Sequence, residues 1–354
     1  MSPSLERKVT NMAARLPSFA AARDSVAETL EIELTVKRVE RVAERVGTER
    51  VAERDAAVEE WESLPLMEKL AAPRGVKALE VVCVSCDAGR AQRCDLPETA
   101  KSHWCATNVG AVMELEPVSH AADPCPDVPD KLLSLSEVEK LTREIKGAPC
   151  KGSEFQRARE EAVVDPLATP IADDGRVKVV APSPKITGRD VVATFDDCDA
   201  FGKILAATVW ALGCVTSKLK AFIADGANAN WGIWEKHFKH LRFTPILDII
   251  HAVTYVYSAA MAGRNSAEGG EVYRRWITWV WQGKVLKVVE ELAERLRELG
   301  EAPPDAPDSD PRNVVARTLT YLRNQSSRMD YPEYRRLGLP ISSSPIESTV
   351  KQIN

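Results

Sequence analysis

Between residues 4 and 60 the apolar positions recur at helical spacing. Leu5, Val9, Met12, Ala13 and Leu16 share one face, with Ser4 placed to cap that helix and Pro17 to end it. Ser18 caps a second run, Phe19, Ala22, Val26 and Leu30. After a break at 31–34, Thr35 caps a third, with Val36, Val39, Val42, Ala43 and Val46 on one side and Lys37, Arg38, Arg41 and Arg45 on the other. Three short helices with a tight turn before the last form the pattern of a helix-turn-helix module, whose last helix enters the major groove of DNA. A small bundle with a solvated, salt-bridged face fits the same residues, because Glu33, Glu40 and Glu44 interleave with the basic ones. This helical, DNA-binding-like region spans residues 1–62.

From Lys77 the period changes. KALEVVCVSCDAGR is short and rich in Val, as a buried strand is, and ends in Cys86, Asp87 and a Gly turn. Residues 109–115 predict another strand and 136–146 a capped helix. Residues 147–190 are rich in Pro, Gly and Asp and predict an irregular connection, with one short strand-like run, RVKVV, at 176–180. Residues 199–213 predict a helix. Residues 218–224 predict a strand that stops at Asp225. Residues 231–300 are mostly helical and hold most of the tryptophans, an acidic Pro-rich loop follows at 301–310, and 312–324 is a helix. The end starts one more helix, with Ser344 as cap and Pro345 at its first position. Strands with helices, then a helical block, give an α/β core (76–230) with a helical insertion (231–325) and a closing segment (326–354).

Composition narrows the class. With 354 residues, roughly 150 per domain gives two to three domains. Hydrophobic residues at 44% and charged residues at 28% exclude wholesale disorder. A net charge of −5 excludes a uniformly basic nucleic-acid coat but not a locally basic face. The most apolar stretch, 244–263, is interrupted by Asp248 and His251, so no bilayer span is expected. The N-terminus carries Arg and Glu where a signal peptide needs apolar residues, which predicts a cytoplasmic chain with its eight cysteines reduced.

Two acidic residues share one context. Asp87 and Asp225 each follow an apolar strand and precede a small residue or Gly, and ligands in open α/β sheets gather at strand ends. Glu347, in the first turn of the last helix, could add a third carboxylate. Three carboxylates can hold two Mg²⁺ ions about 3.5–4 Å apart, the arrangement that activates an attacking oxygen and stabilises a leaving one at a phosphodiester. Taken singly, the aspartates suit turns equally well and the glutamate suits a helix N-terminus.

Longer motifs weigh in favour of chemistry. The segments KAFIADGANANWGIWEKHF…TPILDIIHAVTYVYSAAMAG, YRRWITWVWQG and DPRNVVARTLTYLRNQSSRMDYPEYRRLGLPISSSPIESTVKQIN resemble the bacterial DDE transposases of the Kra-type insertion sequences, relatives of the Mutator-like superfamily. The resemblance runs from about Ser4 to the end, with a loose zone at 147–189, and includes the N-terminal helical region. It implies an RNase H-like core with an all-helical insertion between the second acid and the last. It places the acids on Asp87, Asp225 and Glu347, and a D-x-x-H signature on Asp248 and His251, with His251 near the site contacting phosphate or orienting a carboxylate. It further implies two Mg²⁺ or Mn²⁺ ions, strand cleavage and strand transfer, and action as a homo-oligomer on double-stranded DNA: the element's terminal inverted repeats and the target. Bound to DNA, such a protein is nucleoid-associated.

Some residues depart from the family pattern. Ala88 stands where Gly is expected, and HWCATN at 103–108 is less basic. The chain stops seven residues after Glu347, whereas relatives continue, so a C-terminally truncated copy is expected, and an inactive remnant that only binds DNA is the alternative reading. Cys83 and Cys86, with Cys94 and Cys105 downstream, spell a zinc pattern, but the first two lie on one strand whose alternate residues point to opposite faces. Trp231, Trp234, Trp276, Trp279 and Trp281 have core spacing, or could stack on unpaired bases. The stretch 312–351 is locally basic. Arg328, Arg335, Arg336 and Lys351 are its candidate phosphate contacts, and an ordinary solvated face is the alternative.

Overall fold

The computed structural model describes residues 1–93, 96, 97, 99, 102–145 and 183–344. The RVKVV run, the final helix, Glu347, Lys351 and Cys94 lie outside the described residues. The chain divides into two compact units, Met1–Leu66 and Met67–Asn354.

The first unit is helical. Helix α1 (Pro3–Arg15) is capped by Ser2, whose Oγ accepts from the Leu5 N–H at 3.4 Å, with Pro3 inside the first turn. The cap is thus two residues earlier than Ser4, because Pro3 needs no partner for a missing N–H. Helix α2 (Phe19–Leu30) starts at Ser18 and α3 (Val36–Ser63) at Thr35, each side chain accepting from the N–H three residues on. Val9, Ala22, Val26, Val39 and Val42 are buried at the centre, with Leu5, Met12, Leu16 and Leu30 around them. Helix α3 is 28 residues long, not short. Gly47 does not stop it, since a single helical Gly costs only about 1 kcal/mol, and the Arg45–Glu49 and Arg50–Glu53 pairs bridge successive turns around it.

The second unit is built on a five-stranded mixed sheet of order β3-β2-β1-β4-β5. Strand β2 (Trp104–Leu115) runs antiparallel to both of its neighbours, β1 (Val81–Gln92) and β3 (Ile186–Thr194). Strand β4 (Leu219–Ala224) runs parallel to β1, and β5 (Thr244–Leu247) parallel to β4. The first half of β1 is buried without interruption, as a central strand requires, while its second half alternates. Two strands differ from expectation. β3 occupies the end of what reads as an irregular connection, and β5 lies inside what reads as a helical insertion. The insertion therefore cannot begin at 231, because β5 belongs to the sheet.

Helix α4 (Leu135–Ile145) follows the β1–β2 hairpin, and α5 (Cys198–Ala211) lies over it. A Cβ on Gly110 would sit 3.0 Å from Leu205 and Phe201, so glycine permits the close approach of α5. Helix α6 (Asn228–Ile233) continues into a π turn at Trp234–Phe238. Then come α7 (Ile249–Met261), α8 (Ser266–Trp281), α9 (Val285–Leu299), α10 (Pro311–Gln325) and α11 (Tyr331–Arg336). Trp231, Trp276 and Trp281 are core residues, whereas Trp234 and Trp279 are half-buried with cations over their rings. The β5 edge is closed by side chains. Tyr331 donates to the Leu247 carbonyl at 3.1 Å and Tyr334 to the Pro245 carbonyl at 3.4 Å. Pro245 is tolerated because an edge strand can spare an N–H. Among the described residues no helix is long and apolar enough to cross a membrane.

Candidate active site

Strands β1 and β4 are parallel, with Ser85 beside Ile223. Two residues further along each chain stand Asp87 and Asp225, so both carboxylates fall at the same end and on the same face of adjacent strands. Such strands are about 4.8 Å apart. Asp87 lies within β1, opposite Val109 on β2, rather than after the strand as the Gly turn suggested. β1 continues because β2 keeps pairing with it as far as Gln92. The buried Cys86 thiol feels both acids. Burial pushes its pKa up first, and the charges of Asp225 and then Asp87 push it further.

The loop carrying Asp225 is tightly fixed. Its Oδ1 accepts from the Ala227 N–H and from Asn230 Nδ2, each at 2.9 Å. Its main-chain carbonyl accepts from the Tyr321 hydroxyl at 2.8 Å, and the Gly226 carbonyl accepts from Gln325 Nε2 at 3.3 Å. Gly226 has φ +95°, and a Cβ there would come within 2.7 Å of the Tyr321 oxygen, so the position excludes side chains twice over. Tyr321 stacks on Tyr255 of α7 with ring centroids 3.8 Å apart and planes 8° from parallel. Burial and the nearby charges push the Tyr321 phenol above its ordinary range, so it stays a hydrogen-bond donor.

The end of β5 is built differently. Asp248 is fully buried and caps α7, its Oδ1 accepting from the Ile250 N–H at 2.7 Å. Oδ2 accepts from the Ser343 N–H at 3.1 Å and from the Ser343 hydroxyl. The Asp248 N–H donates to the Ala224 carbonyl, and the Ile249 N–H to the Ile341 carbonyl, both at 2.9 Å. Residues 341–343 are thereby tied to the end of β5 and the start of α7. His251, in the first turn of α7, is half-buried and lines a groove of about 960 Å³ between α4, α7 and α10.

The structure brings Asp87, Asp225 and Asp248 to one end of the sheet. Asp87 and Asp225 supply oxygen donors of the kind a hard divalent cation prefers, and Asp225 has no ion-pair partner among the described residues. Among those residues no cluster of three or more His, Cys, Asp or Glu forms a metal site, and Glu347 is not among them. The pair thus fits Mg²⁺ or Mn²⁺ as part of a ligand set. Cys83 and Cys86 are both buried, and being three residues apart on one strand they face opposite sides of the sheet. The two cannot share one zinc ion.

The basic candidates separate. Lys37, Arg38, Arg41 and Arg45 are all exposed on α3. Lys37 pairs with Glu40, and Arg45 with Glu6 and Glu49, while Arg38 and Arg41 have no carboxylate partner among the described residues. Arg335 is not a surface contact. It is 2% exposed, donates from Nε to Asp123 at 2.8 Å and from Nη2 to the Trp281 carbonyl at 3.0 Å, and lies over the Trp281 ring. It locks the loop at Asp123 to α8 and α11. Arg328 is drawn over Trp231 at 4.3 Å and Trp234 at 5.9 Å, and Arg336 binds both Glu333 oxygens.

Sequence reasoning did not find Asn230, Tyr255, Tyr321 or Ser343. Only Asn230 had a local signal, an amide five residues after Asp225 in DGANAN. No family model matches the chain, and no curated protein matches it.

Proposed function

We propose that the protein is a DNA transposase of the DDE type, with an RNase H-like core, acting on double-stranded DNA. One observation carries the reading: Asp87 and Asp225 stand at matching positions on adjacent parallel strands. The sheet plan supports it, because an antiparallel trio continued by two parallel strands is what an RNase H-like core requires. The attachment of 341–343 to Asp248 and Ile249 adds support, since these residues stand a few positions before Glu347 in the chain and lie at this end of the sheet. The helical insertion of this reading begins after β5, at α7.

Asp87, Asp225 and Glu347 would hold Mg²⁺ or Mn²⁺. Divalent ions bound there would favour ionisation of an attacking oxygen and offset charge on the leaving oxygen of a phosphodiester. The protein's own part is positioning. Asn230 and the Ala227 N–H take one oxygen of Asp225, so the other is directed away from α6. Tyr321 holds the main chain of the same residue. In this reading His251 would contact a phosphate oxygen or orient a carboxylate, and Arg38 and Arg41 on α3 would contact the backbone of the element's ends.

The test is strand cleavage and joining of inverted-repeat DNA with Mg²⁺ or Mn²⁺, comparing the natural chain with Asp87→Asn and Asp225→Asn. The expected result is loss of both products in either variant. Equal products from all three would remove the enzyme reading. Binding of repeat DNA without any product would leave the DNA-binding remnant.

A further inference from the structure

Apart from His251, the groove between α4, α7 and α10 has no role in the chemistry above. Along α7 it presents His251, Tyr257 and Met261, and across it α10 presents Val314 and Arg317. Arg317 is exposed and has no carboxylate partner among the described residues. Thr142 of α4 also lines the groove and carries a buried hydroxyl with no hydrogen-bond partner among the described residues. Among the described residues, Asp308 is the one carboxylate in the lining.

Apolar surface, phenol and hydroxyl groups and a cation side by side are the complement of a nucleotide: base, sugar and phosphate. A volume of about 960 Å³ accommodates more than one such unit. The groove also connects to the acidic end of the sheet. Tyr255, on its wall, stacks on Tyr321, and Tyr321 holds Asp225. We infer that the groove between α4, α7 and α10 is a subsite for an unpaired nucleotide of the DNA strand leaving the acidic pair. The phosphate would lie toward Arg317 and His251, and the base against Met261 and Val314. This inference rests on the transposase reading for the strand's origin, but the groove's affinity for single-stranded DNA can be measured without it.

The experiment uses the full chain in EDTA with a short oligothymidylate carrying 5-iodouracil, irradiated and digested with trypsin. The expected crosslinks fall in the fragment 243–264, which holds His251, Tyr255 and Tyr257. Ser258→Trp fills the groove and should abolish them. Arg317→Ala changes an exposed residue, so folding is preserved, and should weaken binding about tenfold, the usual order for losing a charged phosphate contact. Crosslinks that map only elsewhere, or an Arg317→Ala chain that binds like the natural one, would overturn the subsite. Because metal is chelated throughout, the outcome does not depend on Asp87 or Asp225. A protein that crosslinks at 243–264 yet cuts no DNA with Mn²⁺ keeps the groove and loses only the transposase reading.

Discussion

Two parallel strands end side by side, each in an aspartate, and the two aspartates are treated in opposite ways. At the end of β5, Asp248 is fully buried and both its oxygens accept hydrogen bonds from the chain, from Ile250 on one side and Ser343 on the other. At the end of β4, Asp225 is half-exposed, and the two bonds to its side chain converge on one oxygen. A carboxylate with every lone pair answered by protein is a structural part. One held by its main chain and a single oxygen is fixed in place while keeping an oxygen for something else. Neighbouring positions with the same residue type are thus held in two different ways.

The strongest way to break this contrast is to remove each carboxylate. Asp248→Ala leaves two main-chain N–H groups and the Ser343 hydroxyl unanswered in a dry site, and should cost about 3 kcal/mol or more. Thermal unfolding should then fall by roughly 10 °C. Asp225→Asn should change the melting temperature little. Equal losses in the two variants would erase the distinction.

Gly226→Ala sharpens it next. The added methyl meets the Tyr321 hydroxyl in a backbone conformation that L-residues avoid, so about 2 kcal/mol of stability should be lost. Unlike the loss at Asp248, this one should come with weakened divalent-cation binding, read by titration with Mn²⁺.

The histidines repeat the contrast between a buried and a half-buried group. His237 is buried against Gly202, and burial lowers its pKa from the ordinary 6.5 to about 4. Between those values the unfolded chain binds the proton and the folded chain does not. Its contribution is therefore present above pH 6.5 and declines as pH falls toward 4. Urea melts of the natural chain and His237→Gln across that window should show a steeper acid loss in the natural chain. Parallel curves would contradict it.

Tyr321→Phe is the smallest change. It keeps the stack on Tyr255 and removes only the bond to the Asp225 carbonyl, for about 1 kcal/mol in stability. Tyr321→Leu, which loses the stack as well, should cost clearly more.

What the chain declares locally and what it does not follow from the same physics. Asp225 is legible because KAFIA is a plain buried strand and DG ends it. The cap at Asp248 is legible because an apolar helical period starts directly after it. The β5 strand is hidden, since its four residues run into that helical period without a turn between them. β3 is hidden because its outward positions are polar or exposed, so ITGRDVVAT lacks a buried face. Arg335 reads as part of a basic patch, because its partner Asp123 is 212 positions away and nothing in YRRLG announces it. Likewise Tyr321 reaches Asp225 across 96 positions. Local pattern reports strands, helices and caps, while the closure of the site depends on pairs that meet only after the second unit has folded.

The transposase reading requires that Asp87 and Asp225 act together on a divalent cation. It is tested most directly by Mn²⁺ titration of the natural chain, Asp87→Asn and Asp225→Asn, followed by electron paramagnetic resonance. The natural chain should show a site that either substitution weakens by at least about tenfold, since loss of even an outer-shell partner costs about 10–100-fold. Unaltered Mn²⁺ binding in both variants, with native melting behaviour, would contradict it.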